Sequence, residues 1–373
     1  MKLIWCKNCL LPNSRPNLII EKNGSCSACN NFSIKEKINW KKREDEFLSL
    51  IKKIKKKNLR YDCVIPVSGG KDSTWQTVKC LEYGLNPLTV TWRSPQRTKI
   101  GQQNLDNLIS LGVDHIDWSV NPKIEKKMTL ESFKKHGSVA IPMHLALFNI
   151  PVLVASHFRI PYVIWGENSA VEYGNFNKKD NQKILNEKWY KNYGVTHNTK
   201  AKDWVSKSLS KKKMSSYFDY KSYQKNYFKP ESIFLGYFFK WDPQQTYKIS
   251  KKFGFKAEKS ARTGYYKFAD IDDYFISIHH WLKWYKFGFT RIFDNLSLEI
   301  RNKRVSRDRA IKLIRSDGLK MPINDIKKFC EYTDISLNKF FKIAEKFRNK
   351  KIWKVNENKK FYIENFIINN WKW

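Results

Sequence analysis

Acidic side chains are scarce in this chain of 373 residues: 35 Asp and Glu stand against 71 Lys and Arg, a formal net charge of +36. Arginine is scarce too, at 14 of those 71 basic residues, so the surplus is lysine spread along the chain. A basic balance favours acidic small substrates or RNA, whereas dispersed lysine reads as solvated surface, so nucleic acid is not the expected partner. No apolar run reaches the length of a membrane span, and the opening Met-Lys-Leu-Ile-Trp-Cys-Lys lacks the apolar core of a signal peptide. A cytoplasmic location is therefore expected. No internal repeat and no low-complexity linker interrupts the chain. Hydrophobic content of 41% and aromatic content of 15% exclude a disordered chain and allow two domains, with room for a small third.

Against that background one stretch is dense with chemistry. An apolar run from Cys63 to Val67 stops at Ser68-Gly69-Gly70, and a helix pattern starts at Lys71-Asp72-Ser73-Thr74. A buried strand feeding a glycine turn and a helix start makes an anion site, because the glycines admit the ligand and the free N–H groups of the first turn point at it. Ser68, Ser73 and Thr74 add hydroxyls and Lys71 adds a cation. The spacing S-G-G-x-D-S is not that of a Walker A loop. It resembles the PP-loop of ATP pyrophosphatases, which cleave ATP between the α and β phosphates. Asp72 beside phosphates calls for Mg²⁺ between them, which gives it a metal-linked role.

Cys6-x2-Cys9 and Cys26-x2-Cys29 are separated by sixteen residues. Two such knuckles fit a closed, structural zinc site made of four thiolates, and a reducing compartment argues against two disulfides. Cys63, Cys80 and Cys330 sit in apolar contexts and read as packing residues.

Residues 1–32 are thus expected to form the zinc knuckle, and 33–58 a connecting helix opened by a Ser33/Glu36 capping box. Residues 59–240 alternate strand and helix, with strands expected at 61–67, 88–92, 115–119, 161–165 and 233–238. Helices are expected between them at 72–83, 101–111, 122–135 and 143–158. That pattern gives an α/β fold with a parallel, Rossmann-like sheet, whose ligand binds beyond the carboxyl ends of the strands. A polar, aromatic excursion without clear period occupies about 175–230. Residues 241–373 read as a mostly helical substrate or partner domain, with helices at 243–254, 271–287, 290–302, 307–316, 322–331, 336–347 and 359–369.

Gly166-Glu167-Asn168 ends the fourth strand, where polar groups would face a bound ligand. Arg93, Arg97 and Thr98 follow the second strand and could meet phosphate or a sugar carboxylate. Residues 262–309 gather Arg262, Arg291, Arg301, Arg304 and Arg307 with Lys286, Asp270, Asp272 and Asp273. In a lysine-dominated chain, this choice of fork-shaped donors points to bidentate anion contacts. The adjacent His279 and His280 point about 100° apart on a helix and do not make a joint metal site.

In order along the chain, the CxxC pair, S-G-G-K-D-S, W-G-E-N-S-A-V-E-Y-G (165–174), L-G-Y-F-F-K-W-D-P (235–243) and K-F-G-F-T-R…E-I-R…S-R (286–307) add up to a resemblance. Together they resemble the N-acetyl sugar amidotransferases of bacterial surface polysaccharide biosynthesis, the WbpG/PseA type. The resemblance implies that ATP adenylates the acetamido carbonyl of a nucleotide-linked N-acetyl sugar and that ammonia then displaces AMP, leaving an acetamidino sugar. It implies ATP, Mg²⁺ and structural Zn²⁺ as cofactors. It implies as partners a glutaminase subunit and a cyclase-like subunit resembling the histidine-pathway pair, supplying ammonia. On this reading Ser68, Gly69, Gly70, Lys71, Asp72, Ser73, Thr74 and Gly166 hold the nucleotide. Lys71, Asp72, Glu167 and Asn168 are catalytic, and Arg97, Arg262, Lys286, Arg291, Arg301 and Arg307 meet the substrate. The rival enzyme reading is a PP-loop tRNA-modifying enzyme of the thiolating or lysidine-forming kind.

Overall fold

Five short strands, β1 (Cys63–Pro66), β2 (Pro87–Trp92), β3 (Asp114–Trp118), β4 (Tyr162–Trp165) and β5 (Glu231–Phe234), pair in parallel in the order β3-β2-β1-β4-β5. The computed structural model in which they are seen describes residues 2–175, 182–223 and 225–373. The apolar runs Cys63-Val64-Ile65 and Val163-Ile164-Trp165 are buried, as central strands covered on both faces require. From β1 the chain builds outward through β2 and β3, then returns to the other side of β1 for β4 and β5. The reversal lies between β1 and β4, so a crevice opens beyond their carboxyl ends, at Val67–Gly70 and Gly166–Asn168.

Helices α3 (Lys71–Glu82) and α4 (Lys99–Ile109), with α2 (Trp40–Lys55), cover one face through Phe47, Ile51, Trp75, Leu105 and Leu108. Helices α5 (Pro122–His136) and α6 (Ile141–His157) cover the other through Met128, Leu145, Ile150 and Val154. The excursion after β4 also packs on that second face. Among its described residues the backbone forms α8 (Glu187–Tyr193) and single turns, yet Trp189, Tyr193, Trp204 and Tyr217 are buried in the same core. Large aromatic rings fix an irregular backbone where no period is visible. Residues 176–181 and 224 of the excursion lie outside the described residues.

The single helix expected over 33–58 is two helices, α1 (Ser27–Lys35) and α2. Ser33 lies inside α1, where its hydroxyl donates to the Cys29 carbonyl at 3.2 Å, so the capping box is not formed. The cap that starts α2 is Asn39, which accepts from Lys42 N at 3.0 Å. The last strand ends at Phe234, and Leu235–Tyr237 form a 3-10 turn rather than a strand reaching 238.

After α9 (Pro243–Lys252) come α10 (Phe275–Phe287), α11 (Arg291–Arg301), α12 (Arg307–Asp317), α13 (Ile323–Thr333) and α14 (Leu337–Glu345). The helix expected at 359–369 is absent. Trp353–Val355 (β6) and Phe361–Ile363 (β7) form an antiparallel hairpin instead. Its turn is closed by Asn356, whose side chain accepts from Lys360 N at 2.8 Å, and by Lys359 at φ +57°. β-Branched and aromatic residues flanking an asparagine turn favour that outcome.

Candidate functional site

The backbone at the end of β1 can only be made by glycine. Gly69 has φ +82°, and a Cβ there would lie 2.5 Å from the backbone N of Leu105 on α4. Gly70, in extended conformation, caps α3 without a side chain and leaves the first-turn N–H groups open. The Ser68 hydroxyl accepts from Gly70 N at 3.3 Å and stands beside the Asp272 carboxylate. Ser73 and Thr74 hydroxyls both donate back to the Gly70 carbonyl, at 2.9 and 3.1 Å. The bend is therefore held from both sides: its Ser68 and Gly70 amides bond within it, and the first-turn amides of α3 have no side-chain cap.

Lys71 is buried, its ammonium against the Asp72 carboxylate and near the faces of Trp241 and Phe268. Asp72 also accepts from Trp241 Nε1 at 2.9 Å and Thr246 Oγ1 at 3.2 Å, and its side chain stays 32% exposed. The pair gives the crevice a cation beside a partly exposed carboxylate that could hold a divalent ion.

Across the crevice, Gly166 is partly buried; its carbonyl accepts from Gly236 N at 3.0 Å. Glu167 follows. Burial, then the neighbouring Asp72 charge, pushes its carboxyl up to about 7, against the pull of Lys71. Asn168 is used structurally. Its Oδ1 caps α7 (Ser169–Tyr173) through Ala170 N at 3.0 Å and accepts from Trp189 Nε1 at 2.9 Å.

Three residues outside the expected set join this site. Asp272 stands beside the Ser68 hydroxyl, and burial pushes its carboxyl up. Tyr173 is buried beside Glu167 and Asp270, with the Arg291 and Arg15 guanidinium groups over its ring at 5.7 and 5.2 Å. Trp241 orients Asp72. The stretches 165–174 and 235–243 and the Asp270-Ile271-Asp272-Asp273 run contain them, but only the fold brings them together.

The six expected substrate cations do not converge. Arg291 pairs with Asp270 at 3.0 Å and lies over the Tyr173 ring at 5.7 Å, while Arg97 acts on the Asp272 carboxylate from the other side. Arg97 forks onto both Asp117 oxygens at 2.9 and 2.8 Å. Arg262 pairs with Asp325 at 2.7 Å and lines a separate cavity of about 100 Å³ with Thr263, Ser277, His280 and Lys320. Lys286 donates to the Gly137 carbonyl at 3.0 Å, and burial lowers its ammonium to about 8. Arg301 donates to the Glu172 carbonyl at 2.8 Å and Arg307 to the Cys9 carbonyl at 3.2 Å, both next to the N-terminal knuckles.

Cys6, Cys9, Cys26 and Cys29 are all buried, with their sulfurs within 4.8 Å of one another. Cys6–Cys29 and Cys9–Cys26 stand 3.9 and 3.6 Å apart. Four sulfurs at about 2.3 Å from a tetrahedral zinc would be about 3.8 Å apart, so the donors fit that ion. Backbone amides of Cys9 and Cys26 point at the Cys6 sulfur, at 3.5 and 3.2 Å.

Residues 262–366 match the family described as LPS biosynthesis protein WbpG-like, C-terminal domain. Comparison with curated proteins finds no match. Among solved structures, an NMN synthetase from Francisella tularensis is similar over 81% of this chain and 96% of that one, at 13% identity and a TM-score of 0.32. No helix among the described residues is long and apolar enough to cross a membrane.

Proposed function

With a C-terminal domain of the WbpG type as the premise, we propose that the protein is an ATP-dependent amidotransferase of bacterial surface glycan biosynthesis with a PP-loop nucleotide domain. The observation that carries this reading is the S-G-G-K-D-S bend at the reversal point of the sheet, facing Glu167 across the crevice. An amide oxygen is a poor leaving group. Its attack on the α-phosphorus of ATP breaks the bond to the β-phosphate bridging oxygen, releases pyrophosphate and makes the oxygen part of AMP. The bend's amides, the serine hydroxyls and Lys71 are suited to hold the departing pyrophosphate. Mg²⁺, with Asp72 as its proposed ligand, would supply further charge neutralisation there. Ammonia then adds to the activated carbon, the C–O bond breaks and AMP leaves. Glu167, held near 7, is suited to take the proton that ammonia sheds.

Arg291 is the proposed contact to the sugar nucleotide, since it lies over Tyr173, which stands beside Glu167. Zinc in the cysteine cluster is structural, and ammonia comes from a separate glutaminase subunit with its cyclase-like partner. The cytoplasm is the proposed location. A tRNA-thiolating reaction would need reachable cysteines, and Cys63, Cys80 and Cys330 are buried in apolar cores. The test is to incubate the protein with ATP, Mg²⁺ and ammonium, together with a series of nucleotide-linked N-acetyl sugars or, in parallel, with tRNA and a sulfur donor or lysine, and to weigh the products. Exchange of one oxygen for NH is expected. An unaltered sugar alongside modified tRNA would overturn the reading.

A further inference from the structure

The cavity of about 100 Å³ beside Arg262 takes no part in the chemistry above. It lies between residues 261–264, the face of α10 that carries Ser277, His280 and Trp281, the start of α11, and the loop after α12. One water needs roughly 10–15 Å³ of such space, so a larger polar group fits. Ala261 and Lys320 on its wall are exposed, so it opens to solvent.

Its donors are held in place and partly idle. Arg262 Nη2 donates to Asp325 Oδ1 at 2.7 Å, and the Ser277 hydroxyl donates to the other oxygen of that carboxylate at 2.6 Å. The guanidinium also lies over the Tyr274 ring at 4.4 Å. Its Nε–H is buried with no acceptor among the described residues. His280 is 5% exposed, and its one hydrogen bond among the described residues is a long one, 3.5 Å between Nδ1 and Thr263 Oγ1. Thr290, the N-cap of α11, reaches the same wall and makes no side-chain cap. Buried donors without acceptors are costly, so a ligand that supplies acceptors is favoured.

The charges are mixed. Arg262 and Lys320 favour phosphate, but Asp317 lines the same cavity and repels a bare anion. A phosphate joined to ribose brings hydroxyls that a carboxylate can accept. Gly264, on the cavity wall at φ +73°, lies against the stem of Arg291: a Cβ there would be 2.9 Å from its Cγ. We infer that this cavity holds the nucleoside diphosphate half of the sugar nucleotide, with Arg262 and His280 donating to its phosphates and Asp317 accepting from its ribose. The inference rests on the proposed reaction, in which ATP fills the bend and the acetamido group reaches Glu167 past Arg291.

Equilibrium binding tests this apart from turnover. The full chain, with Mg²⁺ and a non-hydrolysable ATP analogue present, is titrated with UDP, GDP, CDP and dTDP and with inorganic pyrophosphate. One nucleoside diphosphate is expected to bind more tightly than pyrophosphate. Arg262→Gln should weaken it about 10–100-fold. Arg262→Lys keeps the charge but loses the fork, and should fall between. Lys320→Glu, at an exposed position, should weaken it on the order of 10-fold, and carries the test should Arg262→Gln not fold. Affinity for the ATP analogue should stay native in all three, and Lys71→Ala should leave nucleoside diphosphate binding unmoved. Absence of such binding, pyrophosphate binding as tightly, dependence on Lys71, or native affinity in Lys320→Glu overturns the inference. Expected binding without any acetamidino product leaves the cavity standing and sinks the proposed reaction. Acetamidino product with an unchanged KM for the sugar nucleotide in Lys320→Glu does the reverse.

Discussion

The ammonium of Lys35 lies 2.6 Å from Glu172 Oε1 with both side chains buried, and it also donates to the Trp241 carbonyl at 2.7 Å. Lys35 ends the helix that carries Cys26 as its cap and Cys29 within it. Glu172 sits on α7, just past Glu167, and the Trp241 indole holds Asp72. One lysine thus joins the cysteine cluster to both walls of the crevice.

Removing Lys35 should therefore be felt at the nucleotide site. Lys35→Met leaves Glu172 buried without its cation, which costs about 3–5 kcal/mol. Denaturant unfolding should show that loss, and nucleotide binding should weaken because Trp241 no longer fixes Asp72. The double variant Lys35→Met/Glu172→Leu should recover much of the stability but not the nucleotide affinity. A double variant no more stable than the single one would contradict the ion-pair account.

Neighbouring glycines in the bend should respond differently. Gly69→Ala meets both a positive φ and the Leu105 backbone at 2.5 Å, and neither can yield cheaply. A loss on the order of 1–3 kcal/mol is expected. Gly70→Ala places its Cβ 3.2 Å from the Ser68 hydroxyl alone, so it should fold nearly as well as the native chain. Thermal melts of the two variants give the comparison, and equal melting temperatures would contradict the geometry.

Much of this was readable from residue order. The bend, the cysteine knuckles and the parallel alternation from 61 to 165 have local causes: glycine, CxxC spacing and short apolar runs. What could not be read was set by distant packing. The Lys35–Glu172 and Asp72–Trp241 pairs join residues far apart in sequence. The arginines of 262–309 share a composition signal but disperse to Asp270, Asp325, Glu172 and Cys9, because their helices face different neighbours. The C-terminal hairpin was missed because its strands are only three residues each.

Two carboxyls should mark the pH profile. Glu125 is buried on α5, accepts from Trp92 Nε1 at 2.9 Å, and is pushed up to about 8 by burial. Glu167 is pushed up to about 7, chiefly by burial. Both keep in the folded chain a proton that the unfolded chain releases near 4.5. The stability they contribute is full below that value and is lost as pH rises through about 7 and 8. Glu167→Gln should lessen the fall between about 4.5 and 7, and Glu125→Gln should lessen it from about 4.5 and remove it between about 7 and 8, read from unfolding midpoints across the range. Unchanged profiles in both variants would contradict the assigned protonation states.

The most direct test follows ATP itself. The protein is given ATP, Mg²⁺, ammonium and a nucleotide-linked N-acetyl sugar, and the phosphorus products are followed by NMR. AMP and pyrophosphate are predicted in equal amounts, with Lys71→Ala slower by on the order of 10²-fold or more while its melting curve stays native-like. Formation of ADP and phosphate instead, or undiminished AMP formation by Lys71→Ala, would contradict the assignment of the Ser68–Thr74 bend.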